Sequence, residues 1–240
     1  IAHRFGRIDQ GWREFFGIDQ ASMRMGFEYG VFDWLSAGFG RSQVEGTYDF
    51  YARAKFLRQS KGAKKMPFTA VWQSGFTITS NQRAGREVDA LLRMGFFHQL
   101  MIARKFNRTF SLQVMPTFHH RNLTVYANER NSVFSLGLGA RIKMSKSTSI
   151  NLEYFQPLPG QETFNTLDSI DVGGIQQPGQ VTKNRGTMGI GFDFETGGHV
   201  FQVTFTNTQG MIEQQFVGEA QGYFWDGDIH FGFNISRAFD

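Results

Sequence analysis

The sequence predicts an all-β fold, a transmembrane antiparallel up-and-down β-barrel of about twelve strands, occupying residues 1–240 as a single domain. Three observations predict it. Apolar and polar residues alternate with a period of two in segment after segment of about ten residues, the length that crosses a bilayer at a barrel tilt. The apolar mass sits in rings spaced by glycine: 27 Phe and 28 Gly stand against only 5 Pro, whereas soluble cores lean on Leu, Ile and Val. No stretch approaches the ~18 consecutive apolar residues of a spanning helix, and a closed barrel is the other structure that satisfies every backbone group in lipid.

The segments follow in chain order. Ile1 to Ile8 is a strand with muddy alternation. In 21–29, Ala21, Met23, Met25, Phe27 and Tyr29 oppose Ser22, Arg24, Gly26 and Glu28; a helix would mix the two sets, and only a strand separates them. A weaker segment covers 34–43. In 48–58, Phe50, Ala52, Ala54 and Phe56 oppose Asp49, Tyr51, Arg53 and Lys55. In 67–79, Phe68, Ala70, Trp72, Phe76 and Ile78 oppose Thr69, Gln73, Gly75 and Thr77. After a weaker segment at 96–106, the segment 110–119 sets Phe110, Leu112, Val114 and Phe118 against Ser111, Gln113 and Thr117. In 133–143, Phe134, Leu136, Leu138, Ala140 and Ile142 oppose Ser135, Gly137, Gly139, Arg141 and Lys143. The weak 149–156 is followed by 188–195, where Met188, Ile190, Phe192 and Phe194 oppose Gly189, Gly191, Asp193 and Glu195. The last two are 201–206 and 229–236, with Phe201, Val203, Phe205, Ile229, Phe231, Phe233 and Ile235 on the apolar side.

The connections support twelve strands. Short turns fall near 31–33, 59–66, 107–108, 145–148 and 196–198. Longer polar stretches fall near 9–19, 80–92, 120–132, 158–185 and 208–227, with a brief link at 44–47. Alternating the two sets puts both termini at the turn end, the periplasmic end of a bacterial outer-membrane barrel. That end collects Arg58, Lys61, Lys64, Lys65, Arg104, Lys105, Arg108, Lys143, Lys146 and Arg237. The loops hold Glu162, Asp168, Asp171, Glu213, Glu219 and Asp226.

Alternation alone leaves open which face meets lipid. A Lys or Arg facing mid-bilayer costs ~2–4 kcal/mol. The polar faces carry mid-strand charges and the apolar faces are nearly free of them, so the apolar faces are predicted to point outward. Tyr29, Trp34, Tyr48, Phe106, Tyr154 and Phe239 fall near strand ends, where interfacial girdles form.

The segments His3-Arg4-Phe5-Gly6, Phe15-Phe16-Gly17-Ile18-Asp19 and Arg24-Met25-Gly26-Phe27-Glu28-Tyr29-Gly30 resemble a family of uncharacterised outer-membrane-type β-barrels of Gram-negative bacteria. The closing stretch Phe233 to Phe239 resembles the aromatic last strand such barrels present to their assembly machinery, although Asp240 follows the Phe. The resemblance implies a fold and a compartment, and no activity. It also implies residues upstream of Ile1, so that the targeting segment is not in this sequence.

The net charge of +4 comes without a run of five or six basic residues, so no nucleic-acid partner is expected. Cysteine is absent, which excludes disulfides and thiolate sites. No cofactor, metal site or catalytic residue is expected. His119 and His120 are adjacent on a strand, so their side chains diverge. Gly137-Leu138-Gly139 and Gly189-Ile190-Gly191 lie within strands without a following helix, unlike phosphate loops. The sequons at Asn107, Asn122 and Asn234 are read as accidental. A lipid hydrolase would need a Ser–His pair on the outer wall, and the linear sequence offers no such constellation. Lumen-lining positions are predicted at Arg24, Glu28, Asp49, Arg53, Lys55, Lys105, Arg141, Lys143, Glu153, Asp193, Glu195 and His230. They support two expectations: a narrow passive channel for small polar solutes, or an interior closed by ion pairs. Trp12, Phe15, Phe16, Phe216, Tyr223, Phe224 and Trp225 are predicted to form aromatic extracellular loops. These would serve an accessory barrel that docks other outer-membrane proteins, besides its lipid surroundings.

Overall fold

A computed structural model of the chain describes residues 1–63, 65–80, 88–124, 130–159, 185–218, 220 and 222–239, together with the backbone of 164–166, 170–172, 175–177 and 181–183. Lys64, Glu162, Asp168 and Glu219, as well as the side chain of Asp171, lie outside the described residues.

Twelve strands close into one antiparallel barrel. They are β1 (Ala2–Arg7), β2 (Ser22–Phe32), β3 (Leu35–Ser42), β4 (Thr47–Leu57), β5 (Thr69–Thr79), β6 (Met94–Lys105), β7 (Phe110–Arg121), β8 (Ser132–Lys143), β9 (Thr148–Pro157), β10 (Thr187–Thr196), β11 (His199–Thr206) and β12 (His230–Arg237). Each pairs with its chain neighbours, and β1 closes onto β12 through Ala2 with Asn234, His3 with Phe233 and Arg4 with Gly232. Closure leaves no sheet edge, as lipid requires. Six connections lie at one end, and five lie at the other with both termini. The connection 158–186 carries two short ladders, 164–166 with 181–183 and 170–172 with 175–177. Three residues per strand are too few for alternation to reveal, so the sequence showed only a polar stretch there.

The register keeps the two faces apart across strands. Gln73 stands opposite Arg53 and Gln99, all lumen-facing, while Trp72 stands opposite Ala54 and Leu100 on the lipid side. Outside, cross-strand rings stack: Phe27 on Phe39 at 5.4 Å, Phe50 on Phe76 at 4.9 Å, and His3 on Phe233 at 4.7 Å. Such pairs add ~0.5–1.5 kcal/mol beyond their area. Outward-facing arginines occur at the rims, each beside a ring: Arg41 over Tyr48, Arg104 over Phe106 and Arg237 over Phe239. There the cation reaches the headgroup region instead of hydrocarbon. The apolar core lies inside, where buried Met115, Phe155 and Val217 pack with Met101 and Phe216.

Candidate functional site

Two of the core residues, Phe216 and Val217, come from the connection between β11 and β12. That connection does not stand above the rim. It folds into the barrel mouth and places one turn of helix, α1 (Glu213–Gly218), against the inner wall. Polar contacts pin it on several sides. Gln209 Nε2 donates to Phe5 O at 3.0 Å, and Gln215 Nε2 to Val44 O at 3.0 Å. Thr77 donates to Gln214, and Thr187 to the carbonyl of Phe216. Asn207 ties the root of the loop, donating to Gly186 O and Gly222 O at 2.9 and 2.7 Å. Gly218 passes so close to buried His119 that a Cβ would stand 2.8 Å from Nδ1.

The segment therefore acts as a plug, and the expectation for Phe216 is corrected. Its ring packs against Phe155 inside the lumen at 5.2 Å, not on a docking loop. A loop of 23 residues spanning two adjacent strands is free to fold inward, and the apolar pair Phe216–Val217 finds in Met115 and Phe155 the burial that water at the rim would deny it. Phe224 is half-buried, whereas Trp12, Phe15, Phe16, Tyr223 and Trp225 remain exposed at that end.

The predicted lumen residues all lie on the inward rows of the register, and they form separate groups. Under the plug on the β2–β5 side, Arg24 pairs with buried Asp49, its Nε at 3.1 Å. Beside them runs a relay. Arg53 Nη1 bonds Glu28 at 2.7 Å, its Nε bonds Gln73 Oε1 at 2.8 Å, and Gln73 Nε2 bonds Glu213 of the plug at 2.6 Å. Tyr51 and Ser36 also donate to Glu28, at 3.1 and 2.7 Å. Toward the turn end, Arg141 bridges Glu195 at 2.7 Å and Asp193 at 3.5 Å. Lys55 donates only to Asp33 O, and Lys105 and Lys143 have no ion-pair partner among the described residues. His230 sits at the loop end, with Nδ1 2.9 Å from Phe5 O.

The opposite side is built differently. β9–β12 and β1 present hydroxyls, amides and glycine, and enclose a cavity of about 210 Å³ with the plug as its roof. Arg4, Glu153, Asn151, Thr187, Thr204 and Thr206 line it, and Gly189 and Gly191 keep its wall flat. A second cavity of about 310 Å³ opens toward the turn end between β6 and β9, and shares Asn151 and Glu153 with the first. Their linings thus meet at β9. Sequence reasoning missed Arg4, Glu213 and the threonine wall. Alternation through Ile1–Ile8 would have turned Arg4 inward, but the plug has no periodic signal.

The outer wall also departs from expectation. Ser74 and His98, both lipid-facing, lie on adjacent strands with Oγ and Nδ1 2.7 Å apart, and Trp72 Nε1 donates to the same hydroxyl at 2.7 Å. At the loop rim, His120 Nδ1 lies 2.8 Å from Ser132 Oγ. The linear sequence does not reveal cross-strand pairs of this kind, so the expectation that no Ser–His constellation exists is corrected. His119, as expected, points the other way, into the core.

Among known proteins, a family described as "Membrane bound beta barrel domain (DUF5777)" matches residues 1–239. No curated protein matches the sequence. Among solved structures, a chain titled "KdgM porin" superposes over the whole of both chains with a TM-score of 0.54 at 7% identity, a likeness of fold alone.

Proposed function

Because the chain belongs to the DUF5777 family of membrane-bound β-barrel domains, we propose that it is a narrow passive channel for small polar solutes in a bacterial outer membrane, with both termini on the periplasmic side. The observation that carries this reading is the incomplete filling of the lumen. Charge pairs fill the β2–β5 side and the plug helix packs on β6, β7 and β9, while two neighbouring cavities, one along β9–β12 and one between β6 and β9, stay unfilled. Twelve strands lie between the eight-stranded barrels that side chains fill and the 16-stranded ones that hold a channel, and adjoining unfilled cavities favour the open reading.

Planar-bilayer recording tests the proposal. The purified barrel is expected to show small, resolvable steps, and replacing 211–218 with a Gly-Ser linker is expected to enlarge them several-fold. Absence of conductance in both proteins would exclude the channel.

Lipid hydrolysis gains less support, despite the two Ser–His couples. Such chemistry needs donors aimed at a developing oxyanion, and within a strand the neighbouring N–H groups are spent on the ladder. Ser74, His98 and Trp72 instead satisfy one another on a lipid-facing wall. A docking role keeps one specific observation in its favour. Phe15 and Phe16 are exposed, and both hold left-handed backbone, φ 45° and 55°, at a cost of ~1–2 kcal/mol each. Exposed rings held at that cost fit a contact surface for another outer-membrane protein. Stoichiometric co-purification that is lost on replacing Trp12, Phe15 and Phe16 would establish that role.

A further inference from the structure

We propose that the cavity beneath the plug binds small zwitterions, molecules of amino-acid size carrying one carboxylate and one ammonium. The proposal rests on the channel reading, which supplies the route by which a solute reaches the cavity.

Two charges of opposite sign line this cavity without satisfying each other. Arg4 projects from β1 across Gly232, and its Nη1 donates to His3 O and Asn234 Oδ1, both at 2.8 Å. Its Nε is buried without a partner, and Nη2 forms no bond among the described residues. Glu153, on β9, is exposed to the void and has neither a hydrogen bond nor an ion pair among the described residues. The other lumen carboxylates already have partners: Asp49 on Arg24, Glu28 on Arg53, and Asp193 and Glu195 on Arg141. Glu213 of the plug is held by Gln73. An arginine and a glutamate left open in one cavity are therefore exceptional within this lumen.

Charge decides which ligand class fits. A lone anion drawn to Arg4 meets the field of Glu153, and a lone cation drawn to Glu153 meets that of Arg4. A molecule carrying both charges answers each with its opposite and brings no net charge into a confined, low-dielectric space. Size agrees with this. A volume of about 210 Å³ holds about seven waters at ~30 Å³ each, the bulk of a small amino acid rather than of a sugar chain. Unpaired Thr204 Oγ1 is a further polar group in the wall.

Glycine, acetate, methylamine and glycerol are the probes, titrated calorimetrically into the full-length barrel in detergent and assayed separately for flux into proteoliposomes. Glycine is expected to bind about tenfold or more tightly than any of the other three, the worth of one charge-assisted hydrogen bond. Glu153→Gln and Arg4→Met are each expected to abolish that preference. Heat-modified gel mobility reports whether each variant forms a barrel, and the four-probe comparison on the unaltered protein decides the question even if one does not. Acetate or methylamine binding as well as glycine would overturn the proposal in favour of a simple anion or cation site. Equal binding of glycerol would overturn it in favour of an uncharged site. Glycine preference in binding without flux of any probe would support the site and count against the channel. Flux without any binding preference would do the reverse.

Discussion

Glycines on the inner wall have two distinct roles, and their surroundings tell them apart. At Gly75 a Cβ would stand 2.5 Å from the ring of fully buried Phe97 and would also strike the backbone of β4. Gly75→Ala is therefore expected to destabilise the barrel by ~1–3 kcal/mol, read as a lower urea midpoint in lipid micelles. At Gly189 the nearest atom would be Thr206 Cβ at 3.9 Å, an ordinary contact facing the cavity. Gly189→Ala should leave stability within ~0.5 kcal/mol while lowering conductance; if the two variants lose stability equally, the distinction fails. The outer wall gives a third case. Trp72 Nε1 donates to Ser74 Oγ, which also forms a hydrogen bond with His98 Nδ1. Ser74→Ala strips both rings of their partner on a lipid-facing wall, an expected cost of ~1–3 kcal/mol, whereas Ser74→Thr should retain most of it. Alternation put Gly75, Gly189 and Trp72 on their faces and gave none to Ser74 or His98. Their neighbours depend on cross-strand register, which a single sequence does not display, and so the Ser74–His98 couple and the open Arg4–Glu153 cavity could not be read from it.

The plug is where the sequence was least legible. Barrel strands announce themselves by period-two alternation, because each must serve lipid and lumen at once. Met211 to Gly218 serves neither a sheet nor an amphipathic helix of useful length, and only its apolar pair, Phe216 and Val217, hinted at burial. The same placement carries a pH dependence. Burial pushes the Glu213 carboxyl above its ordinary value of 4.5, outweighing the opposing effect of its bonds to the backbone and Gln73 and of nearby Arg53. A carboxyl that holds its proton more tightly when docked than when free favours docking in its protonated state, so docking is strongest at acid pH and weakens as pH rises above the ordinary carboxylate range. Conductance is therefore expected to increase from pH 5 to pH 8 in planar bilayers, and to lose this trend in Glu213→Gln. An undiminished trend in that variant would assign the dependence to another group.

For the molecule as a whole, the two ends of the lumen differ in charge in a way that neither end shows alone. The loop end holds the plug and its acidic residues, Glu213 and Asp226, and there Asp228 is paired to Arg7 at 2.5 Å. At the turn end Arg141 is neutralised by Asp193 and Glu195, but Lys55, Lys105 and Lys143 face the lumen without acidic partners among the described residues. The basic bias of this end was legible from the turns. That three lysines stay unpaired inside, while Arg24 and Arg53 do not, emerged only once the strands were in register. Fixed positive charge at one mouth concentrates anions there over a Debye length of ~10 Å at 0.1 M salt. Under a KCl gradient the reversal potential should thus show chloride permeating more easily than potassium, and the current should rectify in one direction for barrels inserted with a single orientation. Replacing Lys55, Lys105 and Lys143 together by Gln should bring the reversal potential close to zero and straighten the current–voltage curve, while raising the salt to 1 M, where the Debye length falls to ~3 Å, should achieve most of this without mutation. Cation preference in the unaltered protein would mean that Glu153, and not the turn-end lysines, governs permeation, since it lines both cavities and has no partner among the described residues.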